Sequence, residues 1–100
     1  MCETDAPAAL VLYRRAIAAH GEESQFDMVV EECAELIVAI RHLARGRVSP
    51  LDVAEEIADV LITTRKLSLL VGPQLVASCV RRKLQTLEER VRLAENRGKT

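Results

Sequence analysis

Two acidic pairs at helical spacing stand out in this chain of 100 residues. Glu32 and Glu35 lie three apart, as do Glu56 and Asp59, with twenty residues between the pairs. Residues three apart on a helix share a face, their Cβ atoms about 5–6 Å apart. Two helices joined by a short loop would therefore bring four carboxylates to one spot. Each pair runs straight into an apolar segment, Leu36-Ile37-Val38 after the first and Val60-Leu61-Ile62 after the second. Carboxylates at the edge of a buried face repel one another and lose hydration, so something must compensate them. A divalent cation does so most simply. Oxygen-only ligands suit magnesium, manganese or calcium rather than zinc. The plainer reading is a set of surface acids on amphipathic helices, since glutamate is a good helix former. Repetition of the pair on two consecutive helices, both at core edges, favours a site.

The elements that must position these acids follow from the rest of the sequence. Asp5 is the expected N-cap of a first helix, with Pro7 tolerated in its first turn. Leu10, Tyr13 and Ile17 give that helix its stripe, and His20-Gly21 ends it. Ser24-Gln25-Phe26-Asp27 reads as the capping box of a second helix running to about Arg45, stopped by Gly46. Its apolar stripe is Phe26, Val29, Val30, Cys33, Leu36, Ile37, Ile40, Leu43 and Ala44. Glu32 borders the stripe and Glu35 lies beyond it, so the acids are expected beside the core. His42 shares Glu35's direction and reads as solvated or salt-bridged.

Ser49-Pro50-Leu51-Asp52 then gives an N-cap, a proline at the first helical position and an acid in the first turn. This third helix runs to about Val71. Its second half is apolar on almost every side and is expected to be the buried central helix. Asp52, Glu56, Asp59, Thr63 and Lys66 make a narrow polar strip along it. An intrahelical salt bridge is the simplest partner for Lys66. After Gly72-Pro73 a fourth helix reaches about Glu95, with Val76, Val80, Leu84, Leu87, Val91 and Ala94 as its stripe. Lys83 lies within that stripe and Arg90 two turns later. Cations directed at a core need an anion, which the acids or a bound phosphate would supply. The tail from Asn96 is expected to fray.

Composition narrows the class. About half the residues are apolar, with one Tyr, one Phe and no Trp, which argues an all-α fold. The length fits one domain. A chain this short gains much from a partner copy. The net charge of −1 argues against nucleic acid as a partner. No apolar run reaches the length of a membrane span, and no signal peptide is expected. Cys2, Cys33 and Cys79 read as reduced thiols of a cytoplasmic protein. The histidines do not stand three residues after a glutamate, against a di-iron bundle. There is no Gly-rich phosphate loop, no zinc spacing and no EF-hand.

With its two acidic motifs in place, the chain resembles the MazG-like, all-α nucleoside triphosphate pyrophosphohydrolase superfamily. Glu31-Glu32-Cys33-Ala34-Glu35 and Glu56-Ile57-Ala58-Asp59 look like that family's two signature helices, and the likeness runs from about Gln25 to Arg90. It implies a single domain over residues 1–100 with its core at about 24–95. The fold would be a four-helix bundle completed by oligomerisation as a homodimer or homotetramer. The implied activity is metal-dependent hydrolysis of a (deoxy)nucleoside triphosphate to the monophosphate and pyrophosphate. Glu32, Glu35, Glu56 and Asp59 would ligate magnesium, with manganese as a substitute. Glu31 would orient or deprotonate the attacking water, and Lys83 would contact the phosphates. Arg90, from its position, and Phe26 would join in substrate binding. Aromatic stacking partners common in the family are few here, and Thr86 and Leu87 stand where relatives often carry Asn or Asp. The alternative is a non-catalytic helical module that oligomerises or binds nucleotides.

Overall fold

The computed structural model describes residues 3–98. After a short 3-10 turn, Glu3–Asp5, come four helices: α1 (Pro7–His20), α2 (Glu22–Ala44), α3 (Pro50–Val71) and α4 (Pro73–Arg97). The described residues contain no strand. The all-α expectation therefore holds. Cys2 lies outside the described residues, as do the last two residues of the tail. The chain divides into two units, Met1–Leu70 and Val71–Thr100. No single described helix is long and apolar enough to cross a membrane.

In the first unit, the N-terminal turn is tied down from two sides. The Tyr13 hydroxyl donates to the Thr4 carbonyl at 2.8 Å. Arg65 grips both oxygens of Asp5, Nε to Oδ1 at 2.9 Å and Nη2 to Oδ2 at 3.3 Å. Asp5 thus serves an ion pair to α3, not the cap of α1. Pro7 occupies the start of α1, so Ala6 takes the extended N-cap conformation that precedes a proline. α1 ends where its glycine predicts: Gly21 has φ 84° and donates to the Ile17 carbonyl. The same glycine starts α2, three residues before the expected capping box. Ser24 lies inside the helix, its hydroxyl donating back to the His20 carbonyl at 2.8 Å.

α2 and α3 form a hairpin through residues 45–49. Gly46, at φ 69°, supplies the left-handed turn residue. At the entry to α3 the N-cap and first-turn acid read from the sequence pair reciprocally, as a capping box. The Asp52 amide donates to Ser49 Oγ at 3.3 Å, and the Ser49 amide donates to Asp52 Oδ2 at 2.8 Å. Lys66 meets Met28, Glu56 meets Glu35, and Asp52 lines the same cavity as His42. These pairs place the helices antiparallel.

The inward seam of this hairpin is unusually polar. On α3 the most protected positions are Val53, Thr63 and Lys66, with Glu56, Val60, Leu67 and Leu70 partly buried. On α2 they are Gln25, only 1 % exposed, followed by Met28, Val29, Glu32, Cys33 and Leu36. The second half of α3, expected to be the buried central helix, is mostly covered: Val60 and residues 63–70 are buried or partly buried, while Leu61 and Ile62 keep about two-fifths of their surface exposed. From its polar strip, α3 turns Glu56, Thr63 and Lys66 inward. The α2 stripe is split likewise: Val29, Cys33 and Leu36 are partly covered, whereas Val30, Ile37 and Ile40 are more than half exposed.

The second unit is α4 alone, started by Gly72 at φ 134° and Pro73. It continues helically through Arg97, past the expected end at Glu95 and into the expected frayed tail. An exposed i,i+4 pair, Glu88 to Arg92 at 2.7 Å, braces its last turns.

Ser49→Ala removes the side-chain acceptor at the start of α3 and should cost about 1 kcal/mol, read as a fall in melting temperature. The two hydrogen bonds from Ser49 hold Asp52 below the ordinary aspartate value of 3.8. A lowered folded pKa contributes stability above the unfolded value that is lost as pH falls through the folded one. The Asp52→Asn variant should therefore be less stable than the parent at pH 7, and the difference should close well below pH 3.8. A difference unchanged at low pH would exclude this capping role.

A carboxylate cluster in the helix seam

The acids converge because two helical periodicities meet across the hairpin. Glu32 and Glu35 come from successive turns of α2, and Glu56 faces them from the second turn of α3. One carboxylate oxygen of each lies within 4.8 Å of the others. Glu32 and Glu56 are partly buried and Glu35 is exposed, so the cluster opens to solvent on Glu35's side. Glu32 Oε2 and Glu56 Oε2 are buried without a hydrogen-bond partner. Unpartnered carboxylate oxygens are costly to bury, which makes these two atoms the most demanding in the unit.

Electrostatics record the crowding. Burial, then the charges of Glu35 and Asp59, push the Glu32 carboxyl above the usual glutamate value. Burial, followed by the same two neighbours, does so for Glu56. Asp59 is exposed and outside the tight triad, yet near enough for its charge to act on both glutamates. Three hard oxygen donors at this separation, two of them orphaned, fit a divalent cation, with Asp59 at the margin.

A cavity of about 450 Å³ adjoins the cluster. Glu35 and Glu56 form part of its wall, with His42, Asp52 and small apolar side chains completing it. Sequence reasoning placed His42 on Glu35's side of α2 but assigned it to solvent. The cavity exists because α3 returns past it, a tertiary fact absent from the helical periodicity.

No family model matches this chain, and no curated protein or solved structure does. The likeness to the MazG-like superfamily thus stands on its two motifs and their spacing.

The remaining expected site residues are dispersed. Glu31 is exposed, outside the triad. Phe26 is about half exposed and does not line the cavity beside the acids. Lys83 and Arg90 belong to the second unit. Both are exposed, and neither forms an ion pair among the described residues. Lys83 does sit within an apolar groove of its own unit, beside Val76, Val80, Leu84 and Leu87, as the α4 stripe implied.

Removing one charge from the triad should help the metal-free fold. Glu35→Gln should raise the melting temperature measured with chelator at pH 7, and the gain should shrink as salt screens the repulsion. A melting temperature at or below the parent's would show that the acids do not strain the seam.

Proposed function

We propose that the chain is a metal-dependent nucleoside triphosphate pyrophosphohydrolase, releasing pyrophosphate and a (deoxy)nucleoside monophosphate. One observation carries this reading: Glu32, Glu35 and Glu56 converge from two helices, and two of their oxygens are buried without a donor. Glu32 and Glu56, the less mobile members, would hold magnesium or manganese from inside the seam. Glu35 would close the site from the solvent side, and Asp59 would join from the next turn of α3. A divalent cation in such a site neutralises phosphate oxygens and lowers the pKa of water. Glu31, exposed beside the triad, is suited to take a proton from the attacking water. The neighbouring cavity, with His42 and Asp52 in its wall, has room for part of the nucleotide beyond its phosphates.

The working form would be a homodimer or homotetramer. Its support is the apolar surface that the first unit leaves uncovered: Val30 is 70 % exposed, Ile37 62 % and Leu51 65 %. Exposed side chains of this size, Val30 and Ile37 on one face of α2, are expected against a partner. A cytoplasmic setting agrees with this chemistry, since nucleoside triphosphates and magnesium are both abundant there.

Pyrophosphate release across standard and modified triphosphates should require magnesium or manganese and stop with chelator. Glu35→Gln and Asp59→Asn should each lower the rate by about 100-fold or more while the helical signal is retained. Parent-like rates in either variant would remove that residue from the metal site. Absence of turnover on every triphosphate, with metal still raising the melting temperature, would favour the non-catalytic binding module. Ile37→Glu should reduce the mass seen in sedimentation; an unchanged mass would exclude this face as the contact between copies.

A further inference from the structure

Away from the acids, the first unit contains a second cavity, of about 400 Å³, between the N-terminal turn, α1 and α3. Its wall is largely apolar, from Leu12, Ala16 and Ile62, with Thr4, Tyr13, Lys66 and Glu3 as the groups that bear charge or a hydroxyl. Lys66 is the notable member. It retains 7 % of its exposure, so it is more than nine-tenths buried. The salt bridge expected for it within α3 is absent. Among the described residues its ammonium has one polar contact, the Met28 thioether at 3.9 Å. An ammonium carries three donors, and a thioether is a weak acceptor. Burying a cation is costly without an anion, and no carboxylate of the described residues lies within ion-pair distance.

We infer that this cavity is a binding site for a small amphiphilic monocarboxylate, its head neutralising Lys66 and its apolar body lying along Leu12, Ala16 and Ile62. The charge of the head follows from Lys66, the one cation among the described residues of the wall. The single charge follows from Glu3, an exposed acid in the same wall that would repel a dianionic phosphate. The apolar body follows from the rest of the lining. This site is independent of the carboxylate cluster and of the reaction proposed there.

Octanoate is the probe, with octanol and octyl phosphate as controls, titrated calorimetrically into the full chain. Octanoate should bind best of the three. Lys66→Met should weaken it by about tenfold or more, the loss of one charge-assisted hydrogen bond. It should leave octanol unchanged and should not lower the melting temperature, since a buried unpaired charge is removed. Ala16→Leu, which fills the cavity and leaves Lys66 in place, should block octanoate as well, so the test does not depend on one variant folding. Equal binding of octanoate and octanol, preference for octyl phosphate, or undiminished octanoate binding by Lys66→Met would overturn the assignment. So would failure of octanoate to bind the parent chain. If, in addition, Lys66→Met lowered the sedimenting mass, Lys66 would instead face an acid of a second copy.

Discussion

The structure of the first unit depends on a seam between two antiparallel helices that is filled with polar side chains where hydrocarbon would be cheaper. Gln25, Glu32, Glu56, Thr63 and Lys66 occupy inward positions of α2 and α3. Thr63 satisfies itself by donating to the Asp59 carbonyl at 2.9 Å. Gln25 is half satisfied, its amide donating to Ser24 and Gly21 while Oε1 has no partner. The two glutamates and the lysine remain unpaired. Covering charge without a counter-charge is costly in a fold whose total stability is only about 5–15 kcal/mol. A seam built this way is stable only in so far as something outside the helices meets those charges.

The apolar surface shows the complement of the same choice. Because polar residues share the inward face of α3, Leu51, Ile57, Leu61 and Ile62 are left exposed, and α2 does likewise with Val30, Ile37 and Ile40. Among the described hydrophobic residues, only Tyr13 and Val53 are buried. Burial of apolar area drives folding at about 25 cal/mol per Å². A unit that leaves its largest aliphatic side chains in water has much of that driving force still to gain. Under the proposed function, site and assembly would be linked: acids brought inward displace hydrocarbon to the faces that copies would share.

Much of this was legible in the sequence. Gly21, Gly46 and Gly72, each at positive φ, mark the three turns, and Ser49 with Asp52 marks the start of α3. These signals are local, so a single sequence suffices. The convergence of Glu32, Glu35 and Glu56 was legible too, because i,i+3 spacing and a short connection leave few alternatives. What failed was the direction of the helices. Periodicity defines an apolar face and a polar face but not which one meets the neighbour, and the usual assumption that hydrocarbon points inward misses Glu56, Thr63 and Lys66, which share the inward face of α3 with Val53 and Val60. The fate of Asp5 was hidden for a similar reason. Its partner Arg65 is sixty residues away, and no local rule connects them.

The position of Lys66 sharpens the argument about the seam. A buried cation and buried anions on one hairpin would ordinarily be read as mutual compensation. Lys66 follows Glu56 by ten residues on the same helix, a rise of about 15 Å. At that distance, beyond the Debye length of about 8 Å at physiological salt, little attraction survives where solvent reaches between them. Nor can the lysine supply the hydrogen bonds that Glu32 Oε2 and Glu56 Oε2 lack, since its Nζ sits against Met28. The charges are therefore segregated along the seam, with anions near its middle and the cation towards the N-terminal turn. Segregated charges cannot cancel internally, so each end calls for a counter-charge of its own. The carboxylate end has the donor set for a metal cation. The lysine end opens on an apolar cavity that suits an anion carried on hydrocarbon.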